Sequence, residues 1–396
     1  MWNFVYLYIF FVSFVLSLLL TSLFRKLALK WSFLDNPEER KLHLEAKPLL
    51  GGAAIYLAFV LNIIINLAIV ALLHRSPQLM NLLPEDIAGR LMGVMATKSR
   101  LLAILSGGTI IFLLGLWDDR RGGISPYVKL GGQLLAALLL VLFGIKITMF
   151  LPSWLAIIIT IIWVVGMTNA FNLLDNMDGL AAGVALIAAL IFFLVALQQG
   201  QLFVSVILLI FAGSLTGFLP YNFRPATIFM GDAGSMFIGF ILATLTVLNT
   251  FYTQDSPTFL PVVMPLLILG VPIFDTLSVI FLRRKKGASI FVADKRHFSH
   301  RLIGLGMSHK QAVIFIYLVA FSVGINATLL RGAKLMGAIV ILVQALVIFS
   351  LIVFLEVIAG RGNKVKIEGT KIQRHKGTET QSDKMRSTKF ETNSKF

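Results

Sequence analysis

Long uncharged apolar stretches recur along this chain, and they limit its fold more than any other feature of the sequence. The first stretch runs from Trp2 to Phe24 without a charged residue, and Arg25 and Lys26 follow it directly. A helix that crosses the hydrocarbon core of a bilayer needs about 20 mostly apolar residues. Because cations follow this stretch and none precedes it, it is typical of a first membrane span and not of a cleaved signal peptide.

Eleven segments are apolar and long enough to be membrane spans. They lie near 3–24, 50–73, 101–117, 130–150, 153–172, 179–198, 202–220, 234–251, 258–282, 311–330 and 334–358. A helix satisfies all of its backbone polar groups internally, as hydrocarbon requires of a spanning segment. The sequence therefore predicts an all-α polytopic membrane protein with about eleven transmembrane helices.

The positive charge of the chain is unevenly distributed between the predicted loops. The net charge is +16, although only 14% of the residues are charged, against about a quarter in soluble domains. Alternate loops and the C-terminal tail contain 28 of the 35 Lys and Arg residues. The positive-inside rule then predicts an N-terminus outside and a C-terminus in the cytoplasm. The charge thus marks membrane orientation, and no nucleic-acid partner is expected.

The chain divides by composition into two parts. Residues 1–360 contain all the apolar segments and are predicted to form a transmembrane catalytic domain with its active-site loops in the cytoplasm. Residues 361–396 are polar and basic without apolar periodicity, which is typical of a disordered tail attracted to anionic lipid. The absence of Cys excludes disulfides and thiolate metal sites.

Acidic residues at the edges of apolar segments are functional candidates, because carboxylates are costly there. Asp118 and Asp119 end the third segment, where the helix dipole disfavours anions, so they need a counter-cation. Arg120 and Arg121 are candidates for it, and so is Mg²⁺. An ordinary solvated helix end remains the alternative interpretation.

A second polar group spans the end of the fifth segment and the loop after it. Asn169, Asn172, Asp175 and Asp178 recur every three residues, which on a helix would place them along one side. Amides and carboxylates in that pattern suit a nucleoside or a metal ion. A capped helix boundary at Asp178-Gly179 explains one of the four residues and not the whole set.

Two further loops contain polar residues that suit phosphate chemistry. Asp232 stands between Gly231 and Gly234, either as the N-cap of the next helix or beside a phosphate at its N-terminus. Asp275 lies deep in the ninth segment, after Pro272, which should kink that helix. It is either satisfied locally or part of the site.

The longest basic loop ends in His297, His300 and Arg301, and paired His and Arg side chains suit a pyrophosphate. With the span count above, all four motif loops lie on the cytoplasmic side. The residues alone therefore indicate Mg²⁺-dependent chemistry on phosphates at the inner leaflet.

The ordered set of motifs resembles the polyprenyl-phosphate N-acetylhexosamine-1-phosphate transferases of glycosyltransferase family 4. The motifs are Trp117-Asp118-Asp119, Asn169 to Gly179, Phe229 to Ser235, Pro272 to Thr276 and Asp294 to Arg301. The chain resembles the UDP-GlcNAc branch more than the phospho-MurNAc-pentapeptide branch. It departs from the branch pattern at Leu49, where Arg is common, and at Ser299, where His is common.

The resemblance implies transfer of HexNAc-1-phosphate, GlcNAc-1-phosphate in the first place, from a UDP-sugar to undecaprenyl phosphate with release of UMP. It implies Mg²⁺, or Mn²⁺ in its place, as cofactor. Asp232 would bind the metal, Asp118 would act on the lipid phosphate and Asp119 would support the metal. The implied substrate-binding residues are Asn169, Asn172, Asp175, Asp178, Asn222, Phe229, Asp275 and Arg301, with His297 and His300 at the pyrophosphate as catalytic residues.

The resemblance also implies a bacterial inner-membrane location, initiation of a lipid-linked cell-surface glycan, and a homodimer. Three alternatives remain open from the sequence. They are a phospho-MurNAc-pentapeptide transferase, a transporter of anionic sugar nucleotides or lipid-linked sugars, and a scaffold that recruits a partner through its basic tail.

Overall fold

The computed structural model describes residues 2–35, 45–147, 151–252, 256–285, 287 and 297–358. Its α-helices are α1 Trp2–Lys30, α2 Gly51–Arg75, α3 Pro77–Met80, α4 Glu85–Met92, α5 Lys98–Arg121, α6 Pro126–Leu142, α7 Ser153–Leu174, α8 Leu180–Gln198, α9 Leu202–Asn222, α10 Gly231–Leu248, α11 Met264–Ile268, α12 Gly270–Lys285, α13 Phe298–Gly304, α14 His309–Ala327 and α15 Leu335–Ile358. Short 3₁₀ turns cover Gly93–Thr97, Leu260–Val263 and Thr328–Arg331. The predicted tail from 361 to 396 lies outside the described residues.

The helices confirm a polytopic membrane protein, and they account for the eleven predicted segments in three ways. Among the described residues, nine helices are long and apolar enough to span a bilayer. The segment near 258–282 is a helix pair bent by 71° between Ile268 and Gly270. The segment near 130–150 contains only the 17-residue α6, about 25 Å long and shorter than the hydrocarbon core. The described residues therefore contain nine candidate spans, or ten if the bent pair is one span, where eleven were predicted.

The bend after Ile268 agrees with the kink predicted from Pro272. A proline has no backbone N–H, and its ring clashes with the carbonyl four residues earlier, which here belongs to Ile268. The helix stops at that residue and begins again at Gly270 in a new direction. The helix after the bend, α12, thereby brings Asp275 towards the end of the molecule where the polar motifs lie.

The centre of the bundle consists of α8, α9 and α10. In the apolar stretches of these helices, 67%, 72% and 78% of the residues are buried. Helix α1 packs against α9 through small residues, because Ser13 and Ser17 lie against Gly213 and Gly217. The Ser13 hydroxyl donates to the Ile210 carbonyl, so the polar groups of this apolar interface are satisfied. Hydrogen bonds between small residues are a common means of joining helices in membranes.

Glycines allow the backbones of three helices to touch at the start of α10. A Cβ on Gly52 of α2 would lie 2.3 Å from the Gly234 nitrogen, and one on Gly115 of α5 would lie 2.5 Å from Ala233 backbone atoms. Real Cβ atoms do not approach so closely, so only glycine fits at both positions. The C-terminal end of α5 and the N-terminal end of α10 are thus fixed against each other.

A short hairpin joins the loop after α1 to the loop before α10. Its strands are β1 Leu34–Asp35 and β2 Lys47–Pro48, which pair antiparallel. The Phe229 N–H donates to the Pro48 carbonyl at 2.8 Å, and the Gly51 N–H donates back to the Phe229 carbonyl at 2.9 Å. The hairpin therefore lies beside the first turn of α10.

Candidate active site

Three carboxylates meet where the end of α5 faces the start of α10. One oxygen from each of Asp118, Asp119 and Asp232 lies within 4.8 Å of the others. We call these three residues the acidic cluster. Asp118 is buried, and the other two are partly buried. The sequence predicted all three as catalytic and metal-binding residues, and the structure brings them to one place.

Asp119 caps the helix that begins at Gly231. Its two oxygens accept the Asp232 N–H at 2.8 Å and the Ala233 N–H at 3.0 Å. Gly231 has φ 67°, and a Cβ there would lie 2.4 Å from the carboxylate of Asp119. The N-cap role considered for Asp232 is therefore wrong, because Asp119 satisfies these N–H groups and leaves the Asp232 side chain free for other partners.

Lys129 of α6 is the counter-cation that the acidic cluster requires. Its ammonium lies 2.9 Å from Asp118 Oδ2 and also donates to Asp232 Oδ2. The other oxygen of Asp118 accepts the Ile124 N–H at 2.6 Å. Arg120, which the sequence offered for this role, lies instead over the Phe33 ring at 5.6 Å. The sequence did not predict a role for Lys129 in the site, because a single Lys before an apolar segment is an ordinary orientation signal.

The donor set of the acidic cluster fits a hard divalent cation. Magnesium prefers carboxylate oxygens and usually keeps several waters, so one or two protein carboxylates with a third nearby suffice. Asp232 and Asp118 each use an oxygen on Lys129, and an ammonium is the group that a metal ion would replace in neutralising them. Among the described residues, this is the one cluster of at least three acidic or His ligands with metal-binding spacing.

The polar residues at the end of α7 have divided roles. Asn169 exchanges hydrogen bonds with Gln133 of α6, and Asn172 donates to Ser235 Oγ of α10 at 3.0 Å. The helix ends at Leu174, so Asp175 and Asp178 stand in the following turn and not along the predicted single helical side. The two Asn side chains join helices, whereas the two Asp side chains are partly buried in the turn after α7.

Asp175 is electrostatically connected to the acidic cluster. Burial, together with the smaller effects of the negative charges of Asp232 and Asp178, raises the pKa of Asp175 to about 8. Asp35, on the hairpin, adds a smaller effect of the same sign. The carboxyl of Asp175 is therefore protonated at neutral pH unless a cation binds beside it.

Asn222 and Asp178 shape the loop that precedes α10. The buried Asn222 accepts the Gly179 N–H at 3.1 Å and donates to the Ile228 carbonyl at 3.1 Å. Asp178 accepts the Ala226 N–H at 3.1 Å. Phe229 lies in the same loop, is partly buried, and is paired through its backbone with the hairpin. Three of the predicted uridine-binding residues, Asp178, Asn222 and Phe229, thus lie in or against one loop. Their contact with a nucleotide stays a prediction.

The short helix α13, which we call the histidine helix, is fastened to α12 by Asp275. One oxygen of this buried carboxylate accepts the Phe298 N–H at 2.6 Å, and the other lies 2.9 Å from His297 Nδ1. A carboxylate at Nδ1 fixes the orientation of the ring and leaves Nε2 for another partner. Asp275, predicted to bind substrate, is observed as the residue that orients His297.

Arg301 and His300 complete the histidine helix. The Arg301 guanidinium donates to Ser278 Oγ at 2.8 Å and lies 3.1 Å from Glu356 of α15. The rings of His297 and His300 are 6.4 Å apart. His300 and Arg301 thus lie on this short helix, and His297 directly precedes it. Their predicted contact with a pyrophosphate is not tested by this geometry.

Sequence reasoning missed several residues that hold the predicted ones in place. Lys129 and Gln133 lie one helical turn apart on α6, a spacing that could have been read as one face directed at the site. Asn176 and Ser299 join two motifs that are 123 residues apart, and no local pattern predicts such a contact. Glu356 stands in an apolar helix and could have been found as a costly charge.

The fold and this site define a polytopic membrane protein with a carboxylate-lined polar site at one end of its bundle. Residues 101–250 match the family model for glycosyl transferase family 4. A probable undecaprenyl-phosphate N-acetylglucosaminyl 1-phosphate transferase of Bacillus subtilis (strain 168) is 36% identical over 359 residues, covering 88% of this chain and 90% of that protein. The chain belongs to glycosyl transferase family 4.

Two other relatives show where the similarity is strongest. A decaprenyl-phosphate N-acetylglucosaminephosphotransferase of Mycobacterium leprae is 34% identical, over 84% of this chain and 87% of that protein. A phospho-N-acetylmuramoyl-pentapeptide-transferase of Limosilactobacillus fermentum is 32% identical over only 48% of this chain and 62% of that protein. The similarity to relatives named for N-acetylglucosamine thus extends much further along the chain.

Proposed function

We propose that this protein transfers GlcNAc-1-phosphate from UDP-GlcNAc to undecaprenyl phosphate and releases UMP. The observation that carries the proposal is the acidic cluster with Asp175 beside it, in a chain similar over nearly its whole length to a relative named for this reaction. The pentapeptide transferase is not favoured, because that similarity covers half of the chain. A transporter and a scaffold do not account for an acidic cluster in a chain similar to transferases.

Magnesium fits the acidic cluster, with Asp232 and Asp118 as its ligands and Asp119 beside them; Mn²⁺ is the alternative. When bound there, the metal ion would neutralise charge on the pyrophosphate and on the departing UMP. Asp119 would act mainly through the backbone, since its oxygens hold the first turn of α10 in the position that aims Asp232.

The chemical step needs little from a protein base. A phosphate monoester has its second pKa near about 6, so the lipid phosphate is mostly a dianion at neutral pH. One of its oxygens attacks the β-phosphorus in line, the bond from that phosphorus to the bridging oxygen breaks, and UMP leaves with the electron pair. Asp118 and Lys129 would orient the lipid phosphate, Lys129 by donating to its oxygens.

The nucleotide-sugar would lie between the turn after α7 and the histidine helix. Asp175 and Asp178, with Asn172 and Phe229 near them, would contact the uridine. His297, His300 and Arg301 would donate to the pyrophosphate, for which paired cationic donors are well suited. Asp275 and Asn222 would act indirectly, because their side-chain atoms are occupied by His297 and by loop backbone.

The proposed setting is the bacterial inner membrane, with the site and the C-terminus on the cytoplasmic side and the N-terminus outside. The distribution of Lys and Arg supports this orientation. The product would begin a lipid-linked cell-surface glycan. A homodimer is a further expectation from the family resemblance.

The test is an assay of the purified full-length chain with undecaprenyl phosphate, Mg²⁺ and a panel of UDP-sugars. We expect UMP release and a lipid-linked product with UDP-GlcNAc, and neither with UDP-MurNAc-pentapeptide. Proteoliposomes supplied externally with the same nucleotides provide the comparison for transport. Uptake of UDP-GlcNAc without UMP release would contradict the proposal.

A further inference from the structure

The histidine helix is too short to keep its own position. It has seven residues, from Phe298 to Gly304, and isolated helices shorter than about 12 residues are marginal in water. Its place therefore depends on contacts to neighbouring elements. Asp275 holds its first turn to α12, and Arg301 reaches Ser278 and Glu356. None of these three contacts connects it to the turn that contains Asp175 and Asp178.

Ser299 makes that connection. It is 1% exposed, and its hydroxyl donates to Asn176 Oδ1 at 2.5 Å. The amide group of Asn176 is itself held, because its nitrogen donates to the Leu173 carbonyl at 2.9 Å in the last turn of α7. The hydroxyl thus meets an acceptor of fixed direction, and a buried hydroxyl–amide bond of this kind orients both of its elements.

The positions of Asn176 and Ser299 show which two motifs the bond joins. It stands between Asp175 and Asp178, in the turn that Gly179 closes with φ 77°. The acceptor is therefore part of the acidic turn itself. Ser299 stands between His297 and His300, and is the residue at which this chain departs from the His common in its branch. The bond joins the centres of two motifs.

We propose that Ser299 and Asn176 form a positioning pair that sets the separation between the histidine helix and the Asp175–Asp178 turn. This inference rests on the proposed function, in which both elements bind the same UDP-sugar. Neither residue is proposed to touch the reacting atoms. The pair acts on donor binding, because it fixes the gap that the uridine diphosphate must span.

The acidic cluster should not respond to the pair. Asp119 and the close backbone contacts of Gly115 position that cluster through α5 and α10, which the pair does not join. Loss of the pair is therefore expected to raise the KM for UDP-GlcNAc and to leave the KM for undecaprenyl phosphate and the Mg²⁺ concentration for half-maximal rate unchanged.

The experiment measures these three constants for the purified full-length chain and four variants. S299A and N176A each remove the bond, S299A/N176A removes both partners, and S299T keeps the hydroxyl. The matched control is S308A. Ser308 caps α14 by accepting the Gln311 N–H and is exposed, so its loss destabilises the fold without touching the site.

We expect S299A and N176A to raise the KM for UDP-GlcNAc about tenfold, the effect of losing one buried hydrogen bond. The double variant should be no worse than either single variant, since the pair acts as a unit. S299T should restore most of the affinity. S308A should lower the melting temperature and leave the KM as in the wild type.

Each contrary result has a distinct meaning. A wild-type protein that releases no UMP from UDP-GlcNAc would overturn the proposed function and this inference with it. An active wild type with an unchanged UDP-GlcNAc KM in S299A would overturn this inference alone. Additive single effects, or equal increases in both KM values, would also overturn it, because a positioning pair for the donor predicts neither.

Discussion

The acidic cluster and the histidine helix differ in what holds them. The acidic cluster stands at the junction of two long helices, where Gly115 lets α5 touch the backbone of α10 and Asp119 caps the first turn. The histidine helix has seven residues and is held by the side chains of Asp275, Asn176 and Glu356. Close backbone packing with one side-chain cap fixes the acidic cluster, whereas side-chain hydrogen bonds added to apolar packing fix the histidine helix.

This difference has a chemical reason. Metal-ligand geometry tolerates errors of only a few tenths of an ångström, whereas a nucleotide-sugar of many atoms can be bound by several adjustable contacts. We expect substitutions at the acidic cluster to affect turnover and metal use. Substitutions at the histidine helix should affect donor affinity. The predictions below test that division, from the largest expected effect to the smallest.

Replacing the central carboxylate should cause the largest loss. D232N keeps the shape of the side chain and removes its charge, so we expect UMP release to fall by about 10²–10³ at saturating substrate and Mg²⁺, the effect of losing one preorganised electrostatic contact. D86N, at an exposed acid that pairs with Arg90, is the matched control and should retain full activity. Near-normal turnover by D232N would remove the acidic cluster from the mechanism.

A methyl group between α5 and α10 should damage the cluster without touching a carboxylate. G115A places a Cβ 2.5 Å from Ala233 backbone atoms, so the helices must separate. We expect a loss of about 1–3 kcal/mol in unfolding free energy and about 10²-fold in turnover. G166A in α7 is the control, because nothing lies within 4 Å of its added Cβ. Equal behaviour of the two variants would show that backbone contact does not set the cluster.

Removing the ammonium of Lys129 should show whether a metal ion binds at the acidic cluster. K129M leaves Asp118 and Asp232 without their ammonium partner. In the absence of divalent cations we expect the free energy of unfolding to fall by about 2 kcal/mol. Saturating Mg²⁺ should raise the melting temperature of K129M more than that of the wild type. Melting curves with and without Mg²⁺ measure this difference. Identical increases would place the metal elsewhere.

The smallest expected effect is a pH dependence of metal affinity. Asp175, with its pKa raised to about 8, is protonated at pH 7 and ionised at pH 9. Ionisation adds a negative charge near Asp232, so Mg²⁺ should bind the wild type about fivefold more tightly at the higher pH. D175N should show a smaller difference in affinity between the two pH values, because only the other carboxyls of the site can then change their charge. Calorimetric titration at the two pH values distinguishes these outcomes. Weaker Mg²⁺ binding to the wild type at pH 9 than at pH 7 would contradict the predicted direction.

The helices and the meeting of the motifs could be predicted from the sequence, because each depends on a local signal. Apolar length predicted the spans, and Pro272 predicted the bend. Even so, the length signal overestimated the span near 130–150, where α6 ends at Leu142. Apolar residues continue beyond it, and composition alone does not show where a helix stops.

The contacts that hold the site could not be predicted, because they join residues distant in the chain. Asp119 caps a helix that begins 112 residues later, and Lys129 pairs with an acid 103 residues away. Asp275 was predicted from its cost in an apolar segment, but whether it binds a substrate or a neighbouring helix depends on packing. A carboxylate within an apolar segment can be recognised from the sequence, but its partner cannot.

The glycine contacts also limit how this protein could acquire a new donor. Gly52, Gly115 and Gly234 leave no volume between α2, α5 and α10, so variation there removes the scaffold before it changes any preference. Libraries that seek altered sugar use should hold these three positions constant. Diversity is better directed to the histidine helix and to the turn around Asn176, where a changed side chain can alter the proposed nucleotide-sugar site without moving a membrane-spanning helix.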